Sequence, residues 1–515
     1  MTNKNKLIKG AGGGGGSRQP PPPYRAPDTL HSRSFATVQD LISEGEIEGF
    51  ATPSKRHLAT HDARYQNAAF TDVFLNDTPV LNVNENLTDN EFYSKVTNPS
   101  SSDFNFSDVG FKRKFGTSNQ TAMSGIPAES RSPTGVGVIV TTSSPVTRQI
   151  SNTDVSAVIV TLTWPQIQVA EDDGDLRGDT VEYKIQVQHD SGGFVDKVIS
   201  SVSGRTADAY ARDHRIELTS GFTTVDVRVI RITADSTTSN KVNAFQFTSI
   251  QEVIDNPSTY PNSAYMALRF DSKQFNRIPS RKYRIRGVKV RIPGAGASGT
   301  GTPTVDIETG RILYPTGYVF NGVMGAAVYT NCPAMCLLDL LTNTRYGLGN
   351  HISDTNIDLF SFVAASKYAN EEVDDGTGSG AKEARFSCNV NIQSPKEAFA
   401  AINDIAGAMR CMPIWSAGGI TLAQDKETSA SYLFNLANVG EGGFSYSGSS
   451  LKTRHSVVSV SYFNMDSREV DFEVVEDATA IAKLGAIVKQ VKAYACTSRN
   501  QAARLGRAVL FAEQN

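Results

Sequence analysis

Val155-Ser-Ala-Val-Ile-Val-Thr-Leu-Thr-Trp164 decides the fold class, because β-branched residues crowd it and neither glycine nor proline breaks it. The same period-two wording returns in Val181-Glu-Tyr-Lys-Ile-Gln-Val187, from Phe194 to Val202, in Val225-Asp-Val-Arg-Val-Ile-Arg-Ile232 and from Phe245 to Ile254. Turn clusters separate these runs, so the spacing predicts a β-sandwich module over residues 152–256. On its amino-terminal side, short apolar clusters such as Asp72-Val-Phe-Leu75 and Thr134-Gly-Val-Gly-Val-Ile-Val140 predict a second β domain over 34–151. A polar stretch near 86–131 reads as an insertion in it. Beyond the sandwich, Ala264–Phe270 and Lys282–Ile292 give further strands and a long loop over 257–330. The second of these strands is heavily basic on one face, which predicts an edge or interface position.

Helical signals begin only after residue 330. Asn331 with Pro333 opens one helix with Met335, Leu338 and Leu341 on a stripe, ending before Gly347 and Gly349. The capping box Thr355-Asn-Ile-Asp358 opens a second, with Ile357, Phe360, Ala364 and Tyr368 at helical spacing. Ser394, Pro395 and Glu397 open a third, whose predicted core face is Phe399, Ile402, Ile405, Ala406 and Met409. A hairpin follows through Gly418 and Gly419, then a strand at Ser456–Tyr462. These signals predict α+β domains over 331–440 and 441–515, in a chain that is otherwise mainly β. At the end, Ser498-Arg-Asn-Gln501 caps a helix that runs to Asn515 without a glycine terminator, so the last domain reads as truncated.

The chain's 515 residues call for about three or four packed units at roughly 100 to 200 residues each. Lys plus Arg number 50 against 53 Asp plus Glu, so no chain-wide basic field is available to hold nucleic acid or anionic lipid, and stable nucleic-acid binding is not expected. The start, with lysines and no apolar core, lacks the pattern of a secretory signal, and no segment has the roughly 18 apolar residues of a membrane helix. Five scattered cysteines (Cys332, Cys336, Cys388, Cys411, Cys496) do not form a disulfide framework, and synthesis in a reducing cytoplasm is expected. Residues 1–33, basic around the runs Gly12–Gly16 and Pro20–Pro23, predict a flexible arm.

The motifs that carry chemistry do not complete a site. Gly10, Gly12 and Gly15, and again Gly294, Gly296 and Gly299, have dinucleotide spacing, but no helix follows either set. The acidic run Glu171-Asp-Asp-Gly-Asp175 starts like a calcium loop, yet counting from Asp173 puts Arg177 fifth and Lys184 twelfth, where oxygen ligands are needed. His57 with His61, and Cys332 with Cys336, are pairs where a structural zinc needs four ligands. Neither a nucleophile elbow nor H-E-x-x-H occurs. Catalytic, cofactor-binding and metal residues are therefore all expected to be none, and the chain is not expected to be an enzyme.

Several stretches in one order resemble a known family: Leu41-Ile-Ser-Glu-Gly-Glu-Ile-Glu-Gly49, Asn76-Asp-Thr-Pro-Val-Leu81, Tyr260-Pro-Asn-Ser-Ala264, Phe270-Asp-Ser-Lys-Gln-Phe275, Leu338-Asp-Leu-Leu-Thr342 with Arg345-Tyr-Gly-Leu-Gly349, Ala408-Met-Arg-Cys-Met-Pro-Ile-Trp415 and Ala495-Cys-Thr-Ser-Arg499. They are similar to the amino-terminal half of the tail tip attachment proteins, the central hub or host specificity proteins, of lambda-like siphophages. The resemblance implies a homotrimeric hub of β-barrel-like domains with an inserted sandwich, closing the distal tail tube of the virion and serving host attachment and genome ejection. Implied partners are distal tail and tail tip proteins, the tape-measure protein and, through a carboxy-terminal region absent from this sequence, a host outer-membrane receptor. The alternative class is a tail-associated enzyme that degrades peptidoglycan or capsule.

Overall fold

The computed structural model describes residues 24–30, 35–58, 63–84, 86–123, 129–255, 258–275, 277–376, 378–394, 397–416, 418–446 and 454–514. Among the described residues the protein is mainly β, with 39 % strand against 19 % helix. It divides into two compact units, one formed by Met1–Phe35, Ala122–Thr259 and Asp271–Lys273, the other by Ala36–Thr121, Tyr260–Phe270 and Gln274–Asn515.

The first unit is a sandwich of two four-stranded antiparallel sheets. One sheet runs Val195–Gly204, Asp179–His189, Val225–Arg231, Val146–Ile150, and the other Tyr210–Glu217, Ala157–Trp164, Phe245–Asp255, Glu129–Val140. Val225–Arg231 buries every second residue, as a strand with one face on a core must. Trp164, Tyr183 and Phe245 fill the centre, with Trp164 5.0 Å from the Phe245 ring and 5.4 Å from that of Tyr183. Arg231 is buried among them, and a guanidinium there is tolerable only with its donors satisfied. Thr233 O accepts at 2.8 Å, Asn243 O at 2.9 Å and Asn243 Oδ1 at 2.8 Å. The sandwich thus starts earlier than residue 152. Glu129–Val140 and Val146–Ile150 are edge strands, and the exposure of Val138 and Ile139 explains why their alternation was hard to read.

Residues 24–30, expected to belong to a flexible arm, are bonded to this sandwich. Leu176 N donates to Tyr24 O at 2.8 Å, Ala26 N to Leu176 O at 2.9 Å, and Thr29 N to Arg205 O at 3.0 Å. Arg205 pairs with Asp28 at 2.5 Å. The runs Gly12–Gly16 and Pro20–Pro23 lie outside the described residues.

The second unit holds two larger cores. In one, Phe50, Phe70, Phe92, Phe111, Met266 and Phe270 pack beneath a sheet ordered Phe35–Glu44, Ser263–Asp271, Gly110–Phe115. Part of the stretch expected to be a polar insertion builds this core: Thr88 and Glu91 form a capping box for the helix Asp89–Thr97, whose Phe92 and Val96 are fully buried. Next comes a sheet in which β2 (Ile285–Pro293) lies between β1 (Ile47–Phe50) and β3 (Met324–Tyr329). The strand expected over Lys282–Ile292 is thus two: Arg281–Tyr283 lies at the edge of a separate sheet, as expected of a basic edge strand, whereas the remainder does not. β2 is central, and the nearby cations find partners inside the chain: Arg284 with the fully buried Asp72 at 2.7 Å, Lys289 with Glu46 at 2.8 Å and Arg291 with Asp354 at 2.9 Å.

Three helices cover the second core. α1 (Pro333–Thr342) has Cys332 rather than Asn331 at its N-cap, with Pro333 in the first turn as expected. α2 (Leu359–Ala369) is capped by Asp358, which accepts from Phe360 N and Ser361 N, while the capping box before it is formed by Ser353 and Asn356. α3 (Ala398–Ala408) buries Ala401, Ile405 and Ala406, and leaves the expected core residue Phe399 exposed. Pro395 lies outside the described residues. The hairpin β4 (Cys411–Ser416) and β5 (Gly419–Gln424) follows, then a sheet with β6 (Val457–Asn464) between β7 (Glu469–Glu476) and β8 (Val488–Lys492), backed by α4 (Arg499–Gln514). Among the described residues the sheets are open, of two to four strands, and none closes into the expected barrel. No helix there is long and apolar enough to cross a membrane.

Candidate functional site

Three of the sequence stretches quoted above meet in the second unit. Gly45 N donates to Asn262 O at 2.7 Å, and the Arg345 guanidinium reaches both the Glu44 carboxylate and, at 2.8 Å, Ser263 Oγ. Gly45 has a φ of +100°, and a Cβ there would stand 3.0 Å from the Tyr346 ring, so the stretch needs glycine for both conformation and space. Just after α1 the chain turns so closely that a Cβ on Gly347 would lie 2.2 Å from Leu340 O. That close approach delivers Arg345 and Tyr346 to the junction. Tyr346 OH donates to Asp339 on α1. Burial pushes the Asp339 carboxyl up, opposed by its bonds to Tyr346 and Asn343, and burial followed by the neighbouring Asp339 pushes the Tyr346 phenol up. Glu44 and Arg345 are part-exposed, and such a pair contributes only about 0 to 1 kcal/mol, so the junction fixes geometry more than it adds stability.

Beside it opens a cleft of about 670 Å³, lined by Lys289, Arg291, Asp339, Thr342, Gly349 and Asp354 among others. Its charged residues are mutually engaged. Arg291 holds Asp354 through two nitrogens at 3.0 and 2.9 Å, and this bond first of all keeps the Asp354 carboxyl below its usual range. Lys289 is bound to Glu46. Arg291 and Asp354 thus neutralise each other, Lys289 is met by Glu46, and Asp339 is held by Tyr346 and Asn343.

The other sequence candidates fall apart from this junction or from one another. Glu171, Asp173 and Asp175 do approach to within 4.8 Å, but Asp175 accepts from Tyr24 N at 2.7 Å, and Arg177 stands 3.3 Å from Glu171 and 3.8 Å from Asp175. The cation is supplied by the loop itself. His61 lies outside the described residues, so the pair with His57 cannot be assembled there. Gly294, Gly296 and Gly299 lie in a loop where Gly296 N bonds Gly301 O at 2.7 Å, and the only helical turn is three residues long. The first glycine set, Gly10 to Gly15, is outside the described residues.

Among the cysteines, sequence spacing pointed to Cys332 and Cys336, whereas the fold sets Cys336 against the distant Cys388. Hydrogen bonding with the Cys388 thiol, then burial, pushes Cys336 well above the usual thiol range. Cys332, Cys388 and Cys411 belong to one apolar core. The junction of Glu44, Ser263 and Arg345 carried no chemical motif; the only signal for it in the sequence was the family wording around each member.

Comparison with known proteins matches residues 130–256 to the family model "Tip attachment protein J, FNIII-A domain", and residues 397–514 to "Putative phage tail protein". The first range coincides closely with the sandwich. The chain is 30 % identical over 500 residues to the tip attachment protein J of Escherichia phage SECphi4, covering 95 % of this chain and 39 % of that protein. It is 29 % identical over 444 residues to the tip attachment protein J of Escherichia phage SECphi27, covering 85 % and 34 %. The chain therefore spans well under half the length of these relatives. Among solved structures, the stem and receptor-binding domain of the spike protein P1 from bacteriophage PM2 is similar at a TM-score of 0.17 and 11 % identity, over 48 % of this chain and 99 % of that one, and carries no argument at that level. The resemblance read from the sequence thus stands: the chain is similar to tip attachment protein J along nearly all of its length.

Proposed function

We propose, from that similarity to tip attachment protein J, that the chain is a structural part of a phage tail tip. There it forms a homotrimeric hub at the distal end of the tube, without enzymatic activity, acting in host attachment and genome ejection. The observation that carries this is the similarity over 500 residues, which includes both units and every stretch of the junction. The junction supports it physically. Glu44, Ser263 and Arg345 come from three distant parts of the chain, and in the adjacent cleft Arg291 and Asp354 hold each other. Such a site holds distant elements of the chain in register. Its neighbours in the virion would be distal tail proteins, other tip proteins and the tape-measure protein.

Immunogold labelling of intact virions with an antibody raised against residues 129–255 tests the proposal. Gold confined to the distal tail tip is expected. Labelling of the capsid or of the tube wall, with a bare tip, would remove the reading.

A further inference from the structure

The sheet β7-β6-β8 is covered on one side only. Val458, Val460 and Tyr462 of β6 meet Ala502, Ala503 and Leu510 of α4. Side chains alternate along a strand, so the intervening residues face the other way. On that outer face Phe463, Val470, Phe472, Val474 and Val488 are all exposed, Val470 by 64 % and Phe472 by 61 %. Lys489 and Val491 of β8 turn toward α4, where Lys489 reaches Glu513 at 2.6 Å and Val491 packs on the core. Lys492 consequently lies on the outer face, and it has no ion-pair partner among the described residues.

A second patch in the same unit has the opposite need. Residues 432–446 form no helix or strand, yet expose Tyr432, Leu433, Phe434, Leu436, Phe444 and Tyr446, the last by 92 %. This is a shaped loop: Asn435 N bonds Asn438 Oδ1 at 2.7 Å, Ala437 N bonds Asn435 Oδ1 at 2.9 Å, and the rings of Tyr432 and Phe434 stand 4.8 Å apart. Its single charge is Glu441, also without an ion-pair partner among the described residues.

We infer that the loop 432–446 of one copy of this chain covers the outer face of the β7-β6-β8 sheet of the next copy, with Glu441 set against Lys492. Two observations favour a second copy as the occupant. The charges are complementary in one pair: Glu441 is the single charge of the loop, and Lys492 is the single cation of the face, set four register positions along the sheet from the face's other charge, Glu476. The area is also sufficient: at roughly 150 to 250 Å² per aromatic side chain, the four of the loop and the two of the sheet, with their aliphatic neighbours, offer on the order of 1,000 Å². That reaches the lower range of specific interfaces. Because the two patches differ, the contact is head-to-tail, and repetition closes a ring when the rotation allows. The inference rests on the assembly reading above and names the contact within it.

The test is charge reversal in the full chain, read by sedimentation. Glu441→Lys and Lys492→Glu should each weaken self-association on the order of tenfold, and the double reversal in one chain should restore it. Circular dichroism on each variant separates misfolding from lost contact, and restoration in the double variant itself requires a folded chain. Unchanged association in both single variants of a chain that still oligomerises would overturn the contact and leave the assembly reading standing. A parent chain that is monomeric at every concentration would remove both.

Discussion

Phe399 and Ile405 lie on the same helix, α3, and face different surroundings: Phe399 is 74 % exposed and Ile405 3 %. Ile405→Ala should therefore cost about 2 to 5 kcal/mol through lost transfer energy and the cavity left behind, whereas Phe399→Ala should leave the melting temperature nearly unchanged. Thermal denaturation of the two variants checks this, and equal losses would mean that α3 is rotated from its place here. The sequence placed both on one stripe because helical periodicity tells which residues share a face but not where the core begins when apolar residues occupy more than one face. The cysteines allow a second expectation. Cys411 is pushed up to about 12 and Cys496 to about 11, chiefly by burial, and Cys336 is also shifted upward, so little thiolate exists at these three at pH 8, and Cys332 and Cys388 are shielded by burial in the core. Alkylation of the folded chain should be slow, and denaturation should release five fast-reacting thiols. A rapidly labelled cysteine in the folded state would contradict this packing.

At the scale of elements, α4 is fastened near its end by Glu513, which accepts from His455 N and Lys489 Nζ and lies 2.9 Å from His455 Nδ1. Burial works against the charge on Glu513, but these bonds outweigh it and hold the carboxyl at about 2. A carboxyl whose folded pKa is depressed adds stability that is complete above its unfolded value of about 4.3 and is lost as pH falls toward the folded one. The parent should therefore be more stable than Glu513→Gln at pH 7, and the gap in melting temperature should close between about pH 5 and pH 2. A gap that stayed constant over that range would exclude the fastening. The sandwich strands with buried alternate faces, such as Val225–Arg231, were legible because the local pattern and the tertiary burial agree. β2 was misread for a physical reason. Its cations suggested an exposed face, and only the fold brings Glu46, Asp72 and Asp354 from distant positions to neutralise Lys289, Arg284 and Arg291. The same non-local pairing hid the junction, since Glu44 and Arg345 mean little until the chain brings them together.

For the whole molecule, the proposed assembly joins two observations, the similarity to tip attachment protein J and the two unlike apolar patches exposed on the second unit. The sandwich and the second unit each have their own apolar core. In that proposal a second copy supplies the cover for the loop 432–446 and for the outer face of β7-β6-β8. The most direct measurement of the central claim is cryo-electron microscopy of the intact virion's tail tip, with the two units fitted separately into the density. Three copies around the tail axis at the distal end of the tube are expected. A tip whose density accommodates neither unit, or a copy number not divisible by three, would contradict the account.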